Sequence, residues 1–144
     1  MGSSRAARLG CLALLSCALG ALVALPAHAW VATIGDGGLA AIKLVQDEVR
    51  RFSGATGSLL WQMVPTTAFW IEAVVIDPSG DVFVAGRAGD RYPIWDLAVV
   101  KIGGTTGTEL WTRVLRGPGD SSAEDLAIDS NGDLVVGGTM QDGT

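Results

Sequence analysis

The residue types that carry most neutral-pH chemistry are confined to one end of this chain. Its single histidine, His28, and both cysteines, Cys11 and Cys17, lie within the first 29 residues. Beyond them there is neither imidazole nor thiol, so no Ser-His-Asp or Cys-His nucleophile can be assembled there. A zinc site of the Cys and His kind lacks every ligand. Carboxylates are left, and two sets could do chemistry. Asp129, Asn131 and Asp133 stand at the spacing of the first three ligands of a calcium loop. Glu72 and Glu124 could in principle supply the carboxylate pair of a glycosidase.

Both sets also have a plainer reading. In a calcium loop Leu134 would be the sharp-turn glycine, and a Glu would follow at the twelfth place; neither is present. A hairpin turn accounts for the same residues, with Asp129 capping backbone amides and Gly132 at positive φ. Asp77-Pro78-Ser79-Gly80-Asp81 fills the corresponding place earlier in the chain with a poorer ligand set, which favours the turn. Calcium bound by Asp129, Asn131 and Asp133 is thus the only metal the sequence offers, and the expectation is no cofactor. Glu72 and Glu124 occupy equivalent positions at two strand starts, which points to a structural or solvated role. Gly35-Asp36-Gly37-Gly38 has neither the spacing nor the Lys-Ser/Thr of a phosphate loop. The chain reads as a non-enzyme.

The N-terminus explains where the reactive residues went. Arg5 and Arg8 precede an apolar run from Leu9 to Leu25, which ends in Pro26-Ala27-His28-Ala29. A basic start, apolar middle and small-x-small end read as a secretory signal peptide over residues 1–29, cleaved after Ala29. An uncleaved anchor would have no use for the Ala-x-Ala ending. Leu14-Leu15-Ser16-Cys17 resembles a lipoprotein cleavage box, but the run stays apolar beyond Cys17. The expected destination is the periplasm, cell surface or extracellular space, with no stable membrane insertion after cleavage. Without Arg5 and Arg8, 8 basic residues face 15 acidic ones, a charge of −7. Such a surface repels nucleic-acid phosphates and anionic membranes, which leaves a protein or carbohydrate as partner.

The elements that would position any site come from a duplication. Val49-Arg50-Arg51-Phe52-Ser53-Gly54-Ala55-Thr56-Gly57-Ser58-Leu59-Leu60-Trp61 returns as Val99-Val100-Lys101-Ile102-Gly103-Gly104-Thr105-Thr106-Gly107-Thr108-Glu109-Leu110-Trp111. Ile76–Gly86 returns as Ile128–Gly138, two residues further out of step, so the insertion falls between the second and third strands. Strands are expected at 49–52, 59–64, 70–76 and 81–85, and again at 97–102, 109–115, 124–128 and 133–137. Each group of four is read as one antiparallel meander. A repeat near 50 residues with four strands is the spacing of β-propeller blades. Residues 82–85 and 134–137 are apolar at every position, as strands covered on both faces are.

The expected fold is therefore all-β, a partial propeller of about two four-stranded antiparallel blades over 47–95 and 96–144, plus an incomplete N-terminal unit. Residues 30–46 are ambiguous. Leu39, Ile42, Val45, Val49 and Phe52 follow helical periodicity, with Asp36 as a cap. The duplicated register instead makes 49–52 a strand, and 38–46 is either a short helix or the end of an earlier repeat. Two blades expose an open sheet face and edge, so the unit is expected to be marginal alone or to join further blades or copies of itself.

The duplicated stretch resembles the repeat of the quinoprotein-type propellers, the family with pyrroloquinoline quinone-like repeats. That pattern runs apolar strand, Ala-x-Asp, two residues, Thr-Gly, three residues, Trp. Thr56, Gly57 and Trp61 match it, as do Thr106, Gly107 and Trp111; Arg51 and Ser53, and Lys101 and Gly103, depart from it. The half at 77–86 and 129–138 is similar to short propeller repeats of bacterial surface proteins. The resemblance implies that Trp61 and Trp111 dock onto the neighbouring blade, with Thr56, Gly57, Thr106 and Gly107 shaping the docking. Trp30, Trp70 and Trp95 have no paired position and are expected in the core. Family enzymes build a quinone site on the axis of a full ring, commonly with paired cysteines and calcium. A fragment of such a dehydrogenase is the alternative to an exported, non-catalytic binding or scaffold module.

Overall fold

The computed structural model describes residues 29–33, 39–43, 48–67, 69–91 and 93–142, and within them every element is a strand. The ten strands are β1 (Ala29–Thr33), β2 (Leu39–Lys43), β3 (Glu48–Phe52), β4 (Leu59–Met63), β5 (Phe69–Ile76), β6 (Val82–Arg91), β7 (Ile94–Ile102), β8 (Glu109–Leu115), β9 (Ser121–Ile128) and β10 (Leu134–Met140). All pairings are antiparallel between neighbours in sequence, so the chain meanders. Residues 1–28, with most of the signal segment, and Asp36, the expected cap, lie outside the described residues.

Residues 39–43 form a strand and not a helix. β2 pairs with β3 in the register Leu39↔Phe52 and Ile42↔Val49. Cross-strand pairing overrides the helical spacing of those apolar residues, because a local pattern is a weaker constraint than a sheet partner.

The sheets are cut differently from the expected meanders. β1-β2-β3-β4 form an N-terminal sheet, β5-β6-β7-β8 a middle sheet and β9-β10 a C-terminal pair. The two halves of each sequence repeat thus lie in different sheets: β3-β4 in one and β5-β6 in the next, then β7-β8 in one and β9-β10 in the next. The reason lies in the links. β6 turns directly into β7, with Arg91 paired to Ile94. The links after β4 and β8, residues 64–68 and 116–120, instead carry the chain from one sheet to the next.

The middle sheet is covered on both faces. One face packs Val82, Val84, Val100 and Ile102 with Val49 and Trp61 of the N-terminal sheet. The other packs Phe83, Ala85, Leu97 and Val99 with Ala123 and Leu126 of the C-terminal pair. Continuous apolar sequence in β6 is therefore matched by continuous burial. β10 has the same pattern and only one covered face: Leu134 and Val136 turn toward the middle sheet, while Val135 is 55% exposed. Gly86 and Gly138 both sit where backbones crowd. A Cβ there would come within 1.8 Å of Trp70 O and 2.1 Å of Ser122 O respectively.

Candidate functional site

A hydrogen-bonded polar cluster joins the N-terminal and middle sheets. It is built on the β7–β8 turn. Gly103 N–H donates to Thr108 O and Gly107 N–H to Gly103 O, both at 2.8 Å, while the Thr106 and Thr108 hydroxyls share a hydrogen bond of 2.7 Å. Gly107 takes φ +68°. The turn presents the Gly104 carbonyl to Trp61, whose Nε1 donates to it at 2.6 Å in a buried setting. The indole lies flat enough on Gly107 that a Cβ there would approach the ring to 2.7 Å. Burying an indole removes about 150–250 Å² from water, worth roughly 4–6 kcal/mol gross.

Three charged residues complete this joint. Asp81 Oδ1 accepts from Gly104 N–H at 2.9 Å, and its other oxygen lies 2.9 Å from Lys101 Nζ. The Gly104 amide and then the Lys101 ammonium hold the Asp81 carboxyl below its ordinary range, and Asp81 in turn raises Lys101. Arg51 donates to Gly80 O at 2.7 Å, bringing the N-terminal sheet onto the β5–β6 turn. Glu109 adds a further tie by accepting from Thr66 N–H and Oγ1 at 3.1 and 3.0 Å. Burial pushes Glu109 up, but hydrogen bonds from Thr112 and Thr66 outweigh it and lower its pKa.

Sequence reasoning named Trp61, Thr106 and Gly107 in this joint and missed Arg51, Asp81 and Lys101. Arg51 and Lys101 were treated as departures from a family pattern. The signal was in the duplication itself: both copies place a base at that position, and Asp81 and Asp133 place an acid at another. A like charge kept at the same place in two copies has a use.

Among the described residues the other copy of each part is made but not joined. The β3–β4 turn repeats the geometry, with Ser53 N–H to Ser58 O at 2.8 Å, Gly57 N–H to Ser53 O at 2.7 Å, a Thr56–Ser58 hydroxyl bond of 2.7 Å and φ +69° at Gly57. A Cβ on Gly57 would meet nothing within 4 Å. Trp111 is only half-buried, edge-on to Phe83 at 5.9 Å and beneath Arg113 at 5.6 Å. Among the described residues its Nε1 has no hydrogen-bond partner, and the Asp133 carboxylate has none either.

The calcium-spaced residues form a capped turn. Asp129 Oδ1 accepts Asn131 N–H at 2.8 Å and Asp133 N–H at 2.9 Å, with Gly132 at φ +88°. Asp77 does the same for Asp81 N–H at 2.8 Å. Among the described residues no group of three or more His, Cys, Asp or Glu is arranged to hold a metal ion.

Glu72 is ion-paired to Arg87 at 2.9 Å, and Glu124 is exposed, so the two are held by different surroundings. Trp70 is 49% exposed beneath the Arg87 guanidinium, not in the core as expected. Trp95 is half-buried and lines an open cleft of ≈ 210 Å³ with Arg87, Asp120, Ser121, Ser122, Thr139 and Gln141. Ser121 is buried there and its hydroxyl has no partner. The cleft is smaller than the roughly 300 Å³ at which small-molecule sites begin.

No family model matches this chain, and no curated protein matches it. A solved structure, that of a protein of unknown function from Bacteroides caccae, superimposes with a TM-score of 0.52 at 14% sequence identity. The match covers 74% of this chain and 36% of the other, so this chain spans about a third of that structure. The likeness is one of fold.

Proposed function

We propose that this chain is an exported, non-catalytic binding or scaffold module of the β-propeller-repeat kind, in which successive sheets are blades. The observation that carries this reading is the joint in which Trp61 of one sheet donates to Gly104 of the next while Asp81 grips the same residue. Its residues recur in register through the sequence, so the joint is a device for adding one sheet to another. The coverage of the middle sheet on both faces supports stacking of that type. The basic-apolar-small pattern of residues 1–29 supports export. A protein or carbohydrate is the favoured partner class for a surface of net charge −7; nucleic acid is disfavoured by the same charge.

The test has two arms. Sequencing the N-terminus of protein recovered from an exporting host should begin at Trp30; retention of Met1 removes the export claim. Titration with pyrroloquinoline quinone and calcium should leave the absorbance spectrum unchanged and give no dye-linked alcohol oxidation. A quinone spectrum with turnover would overturn the non-catalytic reading in favour of a dehydrogenase fragment.

A further inference from the structure

The apolar layer between the middle sheet and the C-terminal pair gives way to polar residues at one end. Alternation places Arg87 and Gly89 on the face that Phe83 and Ala85 give to the C-terminal pair, and Trp95 on the face of Leu97 and Val99. Across from them, Ser121 shares its side of β9 with the buried Ala123. The layer ends there in an open cleft of ≈ 210 Å³, whose lining includes Arg87, Trp95, Asp120, Ser121 and Gln141. The earlier copy of the repeat has Phe69 in the place of Ser121 and Ala68 in that of Asp120. The pairings Phe69↔Ala88 and Ser121↔Met140 fix that equivalence. One position is thus apolar in the first copy and polar in the second.

That polarity is only partly used within the chain. Ser121 is 1% exposed and its hydroxyl has no hydrogen-bond partner, and the buried Arg87 Nε has none either. A buried polar atom left unpaired costs stability that an apolar residue would not, so each one calls for a reason. Asp120 Oδ1 accepts Trp95 N–H at 2.9 Å, and among the described residues Oδ2 has no donor. Gln141 N–H donates to Asp120 O at 2.9 Å, which keeps the Gln141 side chain at the cleft. Trp95 is half-buried, and its ring passes so close to β6 that a Cβ on Gly89 would lie 2.7 Å from Cζ3. The indole is therefore held at its backbone and along its ring. Arg87 is paired with Glu72 at 2.9 Å, so Arg87, Glu72 and Asp120 together bring opposite charges to this end of the sheet. Such a lining suits neither a strong anion nor a strong cation. It suits neutral hydroxyl groups, which both donate and accept.

We infer that the cleft holds one neutral pyranose ring of a glycan. The apolar C–H side of the ring rests on Trp95, and its hydroxyls bond to Asp120 Oδ2, the Gln141 amide and the Arg87 guanidinium. An aromatic surface combined with a few placed polar groups matches a ring that is apolar on its faces and polar around its rim. The volume admits a single ring and leaves the rest of the glycan in solvent, which explains a cleft too small for an enclosed ligand. The inference rests on the proposed reading of the chain as a binding module, and names its site and ligand class.

Amide and indole NMR of the exported chain tests it, with the methyl glycosides of β-glucose, β-galactose, α-mannose and N-acetyl-β-glucosamine as probes. At least one should shift the Trp95 indole signal and the amides of 119–122 and 139–141, with a Kd of about 1–10 mM, the range for a ligand of one ring. Methyl β-glucuronide should bind about threefold or more weakly than the neutral glucoside, because Asp120 repels its carboxylate. Trp95→Ala should weaken binding of the best probe at least about tenfold, and Trp95→Tyr should restore most of it. Circular dichroism checks that the variants fold. If Trp95→Ala does not, Gln141→Ala replaces it; that side chain is exposed, and its loss should weaken binding about threefold.

No shift with any of the four neutral glycosides at about 20 mM, well above the expected Kd, overturns the inference. So do shifts centred away from the cleft, glucuronide binding as tight as the neutral glucoside, or unchanged binding by folded Trp95→Ala. Any of these leaves the Trp61 joint and the export reading standing. Retention of Met1 would instead strike the proposed module and leave the glycoside shifts in place, so the two failures are separable.

Discussion

Strands β6 and β10 carry the same pattern, an apolar run closed by glycine, and live in different surroundings. From Val82 to Gly86 every residue of β6 is buried, Val82 and Val84 against the N-terminal sheet and Phe83 and Ala85 against the C-terminal pair. In β10 only Leu134 and Val136 find cover, and Val135 faces solvent. The same contrast separates Trp61, 9% exposed and hydrogen-bonded, from Trp111, half-buried between Phe83 and Arg113. A copy of a motif thus does different energetic work depending on whether the next sheet is present. Apolarity on both faces of a strand describes a place between two layers, and β10 has that sequence with one layer.

The contrast can be broken most forcefully at the tryptophans. Trp61→Ala should cost about 3–5 kcal/mol, the range for removing a buried large aromatic, while Trp111→Ala at low protein concentration should cost about 1 kcal/mol or less. Thermal melts of the pair at micromolar concentration check this, and equal losses would mean that the two sites are already equivalent. Phe83→Ala and Val135→Ala sharpen it on the strands themselves. The first should lose about 3 kcal/mol and the second no more than about 0.5 kcal/mol, read as denaturant midpoints.

The paired glycines give a smaller difference. Both Gly57 and Gly107 hold positive φ, so alanine at either is strained by about 1–2 kcal/mol. Alanine at Gly107 also drives a methyl into the Trp61 ring, so its loss in a urea melt should be the larger. Equal losses would mean that the indole moves aside at no expense.

The smallest effect is electrostatic. Asp81 is held below its ordinary value by the Gly104 amide and Lys101, so the unfolded chain binds the proton more readily than the folded one. Its contribution is fully present above the unfolded carboxylate value near pH 4 and is lost as pH falls through the lower folded value. Asp81→Asn should therefore cost roughly 1–2 kcal/mol at neutral pH and flatten the acid limb of the stability curve. Asp133→Asn should change stability at neutral pH by no more than about 0.5 kcal/mol. Melts from pH 2 to pH 7 separate them.

Much of this was legible in the residues. The turns at 53–58, 77–81, 103–108 and 129–133 were readable because glycine at positive φ and a capping Asp or Thr are local requirements. Trp61 was readable because an indole repeated in register has to be packed. Arg51, Asp81 and Lys101 were not, since their partners lie 23 to 29 residues away in Gly80 and Gly104 or across a hairpin. Periodicity left 38–46 open between a helix and the end of an earlier repeat, and pairing to β3 decided 39–43 as a strand.

The amino-acid sequence by itself determined that the chain is built of strands, that a unit near 50 residues is used twice, and where each tight turn falls. These follow from φ preferences and hydrophobic alternation, which act over a few residues. Only the tertiary structure decided how the strands are shared among sheets. β6 hydrogen-bonds to β7 across the boundary between copies, while the chain passes to a new sheet after β4 and after β8, inside each copy. It also decided that, among the described residues, Trp61 donates to the turn of a neighbouring sheet while Trp111 stays half-buried beside Phe83 and Arg113, because an indole's partner lies far away in sequence.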